Sequence, residues 1–210
     1  MNGIERIHIK SSWQDAYTEI GKNCEPTANA LYPGIFSDIG MPLVNDAVGI
    51  IECTKEEAVS RYDWKEGIDT ILHFANGTKA TMQEKFLTYH ISTMTFETEK
   101  GSGEPGAWFY CTAQYYFIGY AKQYKQGNHD FQDWMLIDLP GLHRIDAVSA
   151  LNWQHNRNVR MNRRAKFQYL YFDDVPASCI VARYHGPTAG TPQQHYWDTI
   201  LQAGPPPRLT

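Results

Sequence analysis

Three polar side chains at the base of one apolar hairpin carry the chemistry this sequence offers. In "GIDTILHFANGTKATMQEKF", residues 67–86, Asp69 opens one strand-like run, Gln83, Glu84 and Lys85 close the other, and Asn76-Gly77 lies between. A carboxylate that shares a face with an ammonium sets a ligand for a hard cation beside a group that can align a nucleophile. Hairpin register decides whether Asp69 and Lys85 share one, because side chains alternate and a one-residue slip moves each to the opposite face.

Two registers are open. A two-residue Asn76-Gly77 turn sets Asp69 against Glu84 and leaves both faces mixed. A three-residue loop, Ala75-Asn76-Gly77 with Gly77 in the left-handed position of a bulge, sets Phe74 against Thr78, Leu72 against Ala80 and Thr70 against Met82. The apolar residues then collect on one side. Asp69, Ile71, His73, Lys79, Thr81, Gln83 and Lys85 take the other, with Asp69 across from Gln83 and Lys85 one step further. Burial of Leu72, Phe74 and Met82 together, at about 1.5–3 kcal/mol per side chain, favours the three-residue loop.

The elements around the hairpin follow from periodicity and caps. "IERIHI" alternates as a short strand, and Ser12 with Asp15 caps a helix carrying Trp13, Ala16, Tyr17 and Ile20. Pro26, Pro33, Pro42 and several glycines predict short helical turns and loops rather than a long element over residues 21–50. Thr54 and Glu57 form a capping box for a helix over "TKEEAVSRYDW", which leads into the hairpin. "ISTMTFET" reads as a third strand, "EKGSGEPGAW" as a loop, and "TAQYYFIGYAKQY" as a buried helix, although its Tyr and Phe content also suits a strand. "DWMLIDL" reads as a buried strand, residues 142–152 as a helix, and "FQYLYF" and "ASCIVARY" as strands around the turn "DDVP".

A capped helix, a strand bearing Asp69, a turn, a strand ending in Gln83-Glu84-Lys85 and a third strand, over about residues 52–139, resembles the core of the PD-(D/E)XK nuclease superfamily. The resemblance implies an α/β fold with a restriction-endonuclease-like core, a mixed central sheet flanked by helices and carrying N-terminal and C-terminal additions. Residues 1–210 then form a single domain: the core, a basic C-terminal part at 140–200, and a loose tail at 201–210. It also implies a Mg²⁺- or Mn²⁺-dependent deoxyribonuclease with Asp69, Gln83 and Lys85 as its catalytic set. Asp69, Gln83 and the backbone carbonyl of Glu84 would hold the metal, and Lys85 would orient or activate the attacking water. In this family the helix before the hairpin often supplies a further acid, which points to Glu56 or Glu57, and a third strand lying beside the second would bring Glu97 toward the same face.

Two positions depart from the family pattern. Ile68 stands where the motif has proline, whose role there is positional. Gln83 stands where it has an acid, which removes one negative charge from the metal site. Three outcomes stay open: an active variant, a site completed by Glu97 or an upstream Glu, and a degenerate fold that binds nucleic acid or serves assembly without cutting. An interaction protein unrelated to phosphodiesters is a third function class.

Residues 152–166, "NWQHNRNVRMNRRAK", carry Arg157, Arg160, Arg163, Arg164 and Lys166 with no acid, interleaved with amides and Trp153. Such a run can neutralise phosphates and stack a base, although one-signed runs are also common on solvated faces. The partner expected is nucleic acid, DNA by the resemblance, and a homodimer is compatible with a family in which many members cut duplexes as dimers. The eight histidines show no HExxH spacing, and "GSGEPGAWF" lacks the GxxxxGK[ST] phosphate loop.

Composition excludes some classes and leaves others. A net charge of -4 gives no global attraction to polyanions, so nucleic-acid binding must be local. Cys24, Cys53, Cys111 and Cys179 form no CxxC pair and read as reduced, buried thiols. No apolar run approaches the roughly 20 residues of a membrane span, and the start lacks a signal-peptide core, so the expectation is a cytoplasmic protein with no membrane partner.

Overall fold

The computed structural model describes residues 1–9, 16–54, 57, 67–88, 92–122, 130–149, 151–157 and 165–185. In chain order its elements are β1 (Ile4–Ile9), α1 (Ala16–Asp38), β2 (Val48–Cys53), β3 (Thr70–His73), β4 (Lys79–Leu87), β5 (Thr93–Glu99), α2 (Ala107–Tyr110), β6 (Tyr115–Ala121), β7 (Phe131–Asp138), α3 (Leu139–Val148), β8 (Gln154–Arg157), β9 (Lys166–Tyr171) and β10 (Ile180–His185). The class is α/β on a mixed sheet. Seven strands lie in the order β10-β7-β6-β4-β3-β1-β2, and β5-β9-β8 form a second, three-stranded sheet. β1–β2 and β4–β6 are parallel pairs, and the others antiparallel.

The central hairpin takes the three-residue loop. Thr70 faces Met82, Leu72 faces Ala80 and His73 faces Lys79. The Phe74 amide donates to the Thr78 carbonyl at 3.0 Å, and Gly77 sits at φ +83°, where a side chain would be strained.

Each face of the main sheet has its own core. On one, Leu72, Phe74, Ala80, Met82, Phe117 and Leu136 pack against Cys24, Ala28, Tyr32, Ile35 and Phe36 of α1. On the other, Tyr116, Ile118, Met135 and Ile137 pack against Met94 and Phe96 of β5, Leu170 of β9 and Trp108 of α2. Phe96 seats the small sheet, its ring centroid 4.5 Å from Tyr116 and 4.8 Å from Trp108.

Four expectations are corrected. Residues 21–38 are not short helical turns and loops but part of one long helix: α1 runs through Pro26 and Pro33. A proline costs an interior helix about 3 kcal/mol, but residues 24, 28, 32, 35 and 36 form one buried stripe, and tertiary packing outweighs local propensity. "TAQYYFIGYAKQY" holds strand β6, not a helix, because a central strand covered on both faces is apolar throughout and loses its alternation. The third strand, β5, does not lie beside β4. β6 takes that place, and β5 packs across the sheet as the edge of the small one. The fourth helix expectation shifts: α3 begins at Leu139, directly after β7, with Asp138 accepting the Gly141 amide.

The capping box is present, with the Thr54 amide donating to Glu57 Oε2 at 2.8 Å and the Glu57 amide to Thr54 Oγ1 at 3.2 Å. The rest of that helix expectation, Ser12 and Asp15 with their cap, Glu56, Arg160, Arg163, Arg164 and the tail 201–210 lie outside the described residues. All four cysteines are free and buried. No helix among the described residues is long and apolar enough to cross a membrane.

Candidate functional site

Asp69 is held from three directions at the point where β3 begins. Its amide donates to the Met82 carbonyl on β4 and its carbonyl accepts the Ile7 amide on β1, each at 2.9 Å. Its carboxylate then takes over the ladder, Oδ2 accepting the Glu84 amide at 2.7 Å. A charged acceptor at that position makes a stronger bond than a peptide carbonyl.

Gln83 follows on β4 beside Tyr116 of β6. Its Oε1 is buried and has no hydrogen-bond partner among the described residues. A buried oxygen left without a hydrogen costs about 1–3 kcal/mol, so each such atom calls for a reason.

Lys85 stands one step further on that face. Its Nζ donates to the Thr95 carbonyl at 3.4 Å and lies 5.8 Å from the centre of the Phe167 ring. Tyr116 donates to the same carbonyl at 3.0 Å, and Tyr120 to that of Thr93 at 2.6 Å. These side chains satisfy the open edge of β5, whose carbonyls would otherwise be buried without donors. Burial lowers the Lys85 ammonium to about 8, against the opposing pull of Glu97. Burial pushes the Tyr116 phenol well above its ordinary value, with Cys111, Tyr120 and the Asp69 carboxylate adding to it.

Glu84 points the other way, into α1. Its carboxylate is gripped by the Arg6 guanidinium through two hydrogen bonds, by the Tyr32 hydroxyl, and by Thr70 Oγ1 at 2.7 Å. Arg6 is fixed in turn by Asn29 of α1, at 2.8 Å from Nε. Arg6 and Glu84 side chains are only 4% and 2% exposed, so removing either would strand a charge in the core. Burial works against the Arg6 charge, but Glu84, Tyr32 and Glu25 together outweigh it and the net shift is upward. Main-chain groups two residues apart point to the same strand edge, so the Glu84 carbonyl faces the β3 side, as that of Met82 does.

Asp69, Gln83 and Lys85 are therefore brought to one face, with Glu84 offering its main chain there and its side chain behind. Glu97 comes near Lys85 from β5, across the sheet rather than beside β4. Glu57 closes its own capping box. His73 does not stand at this end of the strand; its Nε2 meets Glu5 at 2.7 Å. Gln114 ties the start of β6 to β4, its Oε1 accepting the Thr81 amide at 3.1 Å. Arg157 and Lys166 are paired across β8 and β9, and Lys166 Nζ is held by Glu99. Lys166 adjoins Phe167, the ring over which Lys85 lies.

Oxygen donors of this kind suit Mg²⁺ or Mn²⁺, which prefer carboxylates and carbonyls and retain several waters. The residues fit: one carboxylate, one amide oxygen lacking a donor, and one main-chain carbonyl. No cluster of three or more His, Cys, Asp or Glu suited to a metal occurs among the described residues, so a site here depends on Gln83 and the main chain. Sequence reasoning missed Arg6, Tyr32 and Thr70, and it did not tie Tyr116 to the site; Arg6 and Tyr32 lie far from Glu84 along the chain. The density of tyrosines at 115–120 was the only local signal for Tyr116.

No protein-family model matches the chain, and neither a curated protein nor a solved structure matches it.

Proposed function

We propose that this protein is a metal-dependent nuclease that hydrolyses phosphodiester bonds in DNA, built on a restriction-endonuclease-like core. The observation that carries the reading is the shared face of Asp69, Gln83 and Lys85, in which Gln83 Oε1 is buried without a hydrogen-bond donor among the described residues. Asp69, Gln83 and the Glu84 carbonyl would hold Mg²⁺ or Mn²⁺. When bound, such an ion neutralises charge on the phosphodiester and lowers the pKa of a coordinated water. Asp69 keeps its carboxylate in place through the Glu84 amide. Lys85, with an ammonium near 8, holds or releases a proton at Nζ close to neutral pH and is placed to align the nucleophile. Arg157, Arg160, Arg163, Arg164 and Lys166 would supply cations for the phosphate backbone.

A second reading is a nucleic-acid-binding or assembly protein with a degenerate site. Two observations favour it: Gln83 lacks the charge of an acid, and Lys85 is engaged with the Thr95 carbonyl. Labelled linear, single-stranded and branched DNA incubated with Mg²⁺ or Mn²⁺, beside an EDTA control, separates the readings. Metal-dependent product supports the nuclease, and salt-sensitive binding without product supports the second reading.

A further inference from the structure

Glu84 works on both faces of the main sheet. Its amide secures the Asp69 carboxylate at 2.7 Å on one face. On the other, its carboxylate is locked by Arg6, Tyr32 and Thr70, residues from β1, α1 and β3. Thr70 directly follows Asp69, and Glu84 lies between Gln83 and Lys85. The buried knot thus grips the chain next to every member of the candidate site. A shift of residue 84 would move the amide that orients Asp69 and the carbonyl offered beside it.

We propose that Arg6 is a positioning residue for the Asp69–Gln83 face, acting through the side chain of Glu84. This rests on the metal-site reading given above. A core ion pair behind the sheet thereby sets the donor geometry in front of it, as outer-sphere partners do for metal ligands generally. Arg6 touches none of the donors. Its reach to the site is through two bonds to the Glu84 carboxylate, Nη2–Oε1 at 3.1 Å and Nη1–Oε2, and through Nη1–Thr70 Oγ1 at 3.5 Å beside Asp69, while the Asn29 contact anchors it to α1.

The test separates positioning from stability. Arg6→Met combined with Glu84→Leu replaces the ion pair by apolar side chains of similar size, a change buried pairs often tolerate without loss of folding. Tyr32→Phe is a milder second variant: it keeps the ring against Phe117, at a centroid distance of 5.4 Å, and removes one donor to Glu84. Amide hydrogen exchange at residue 84 is read in metal-free protein, and the binding of Mn²⁺ alone is read by calorimetry. The double variant is expected to show exchange at residue 84 and Mn²⁺ dissociation each increased by about tenfold or more, with smaller changes of the same sign in Tyr32→Phe. Wild-type exchange and wild-type Mn²⁺ affinity in both variants would overturn the proposal. If the wild-type protein binds no Mn²⁺, the metal reading falls, and exchange at residue 84 alone decides whether Arg6 positions this face.

Discussion

The Asp69 carboxylate accepts the main-chain amide of Glu84 at 2.7 Å, which joins the start of β3 to the centre of the Gln83-Glu84-Lys85 triplet. This bond keeps the carboxylate at the base of the hairpin, on the face shared by Gln83 and Lys85. Glu84, by contrast, sends its own carboxylate to the opposite face.

Gln83 is the residue whose replacement bears most on the metal reading. Gln83→Glu restores a negative charge among oxygen donors and should tighten Mn²⁺ binding by about tenfold. Gln83→Leu should remove the unpaired amide oxygen, raise folding stability by about 1 kcal/mol and weaken Mn²⁺ binding. Calorimetric titration and urea unfolding of both variants check the two signs. Tighter Mn²⁺ binding in Gln83→Leu would count against Gln83 as a ligand.

Lys85 gives a pH dependence with a definite sign. Its folded-state value is lowered to about 8, from an ordinary 10.5, so between those values the unfolded chain binds more protons than the folded one. Stability should therefore rise as pH increases from about 8 to 10.5, and the cost of burying the charge is fully present below 8. Lys85→Met should stabilise the protein at pH 7 more than at pH 10 and abolish cleavage. Urea midpoints across this range test it, and a variant equally stabilised at both ends would refute the assignment.

Removing Arg6 alone should be far more damaging than removing the pair. Arg6→Ala leaves the Glu84 carboxylate, only 2% exposed, without its cation and should cost about 3–5 kcal/mol. Chemical unfolding of Arg6→Met, of Glu84→Leu and of Arg6→Met/Glu84→Leu forms a cycle, with Arg6→Ala measured beside it. The double variant should recover most of the stability that Arg6→Ala loses.

The basic segment predicts a salt effect rather than a folding effect. Arg163→Ala with Arg164→Ala should weaken DNA binding and reduce the slope of log affinity against log salt by about 2, at an unchanged melting temperature. Fluorescence anisotropy at several salt concentrations measures it. A slope equal to that of wild type would assign these arginines to a solvated face.

How much of this was legible in the sequence depended on whether the signal was local. The register of β3 and β4 was readable because one face must be apolar, and only the loop closing at Gly77 makes it so. The Thr54–Glu57 box was readable because both partners lie within one turn. α1 was hidden by Pro26 and Pro33, whose local penalty is outweighed by the buried stripe through Tyr32 and Phe36. β6 was hidden because Tyr116, Phe117 and Ile118 are all buried, two toward one core and one toward the other, and a strand covered on both faces has no alternation. Arg6 and Tyr32 could not be joined to Glu84 from sequence, since their separations of 78 and 52 residues carry no periodic signature. The shared face of Asp69 and Lys85 was accessible for the opposite reason: it is set within one hairpin.

The most direct measurement is single-turnover cleavage of labelled DNA by wild type and by Asp69→Ala, each verified as folded by circular dichroism, in Mg²⁺ or Mn²⁺ and in EDTA. Product formed by wild type only with metal, and lost in Asp69→Ala, is the predicted result. Cleavage that persists in EDTA or survives Asp69→Ala, or wild-type protein that yields no product with either metal, would contradict the account.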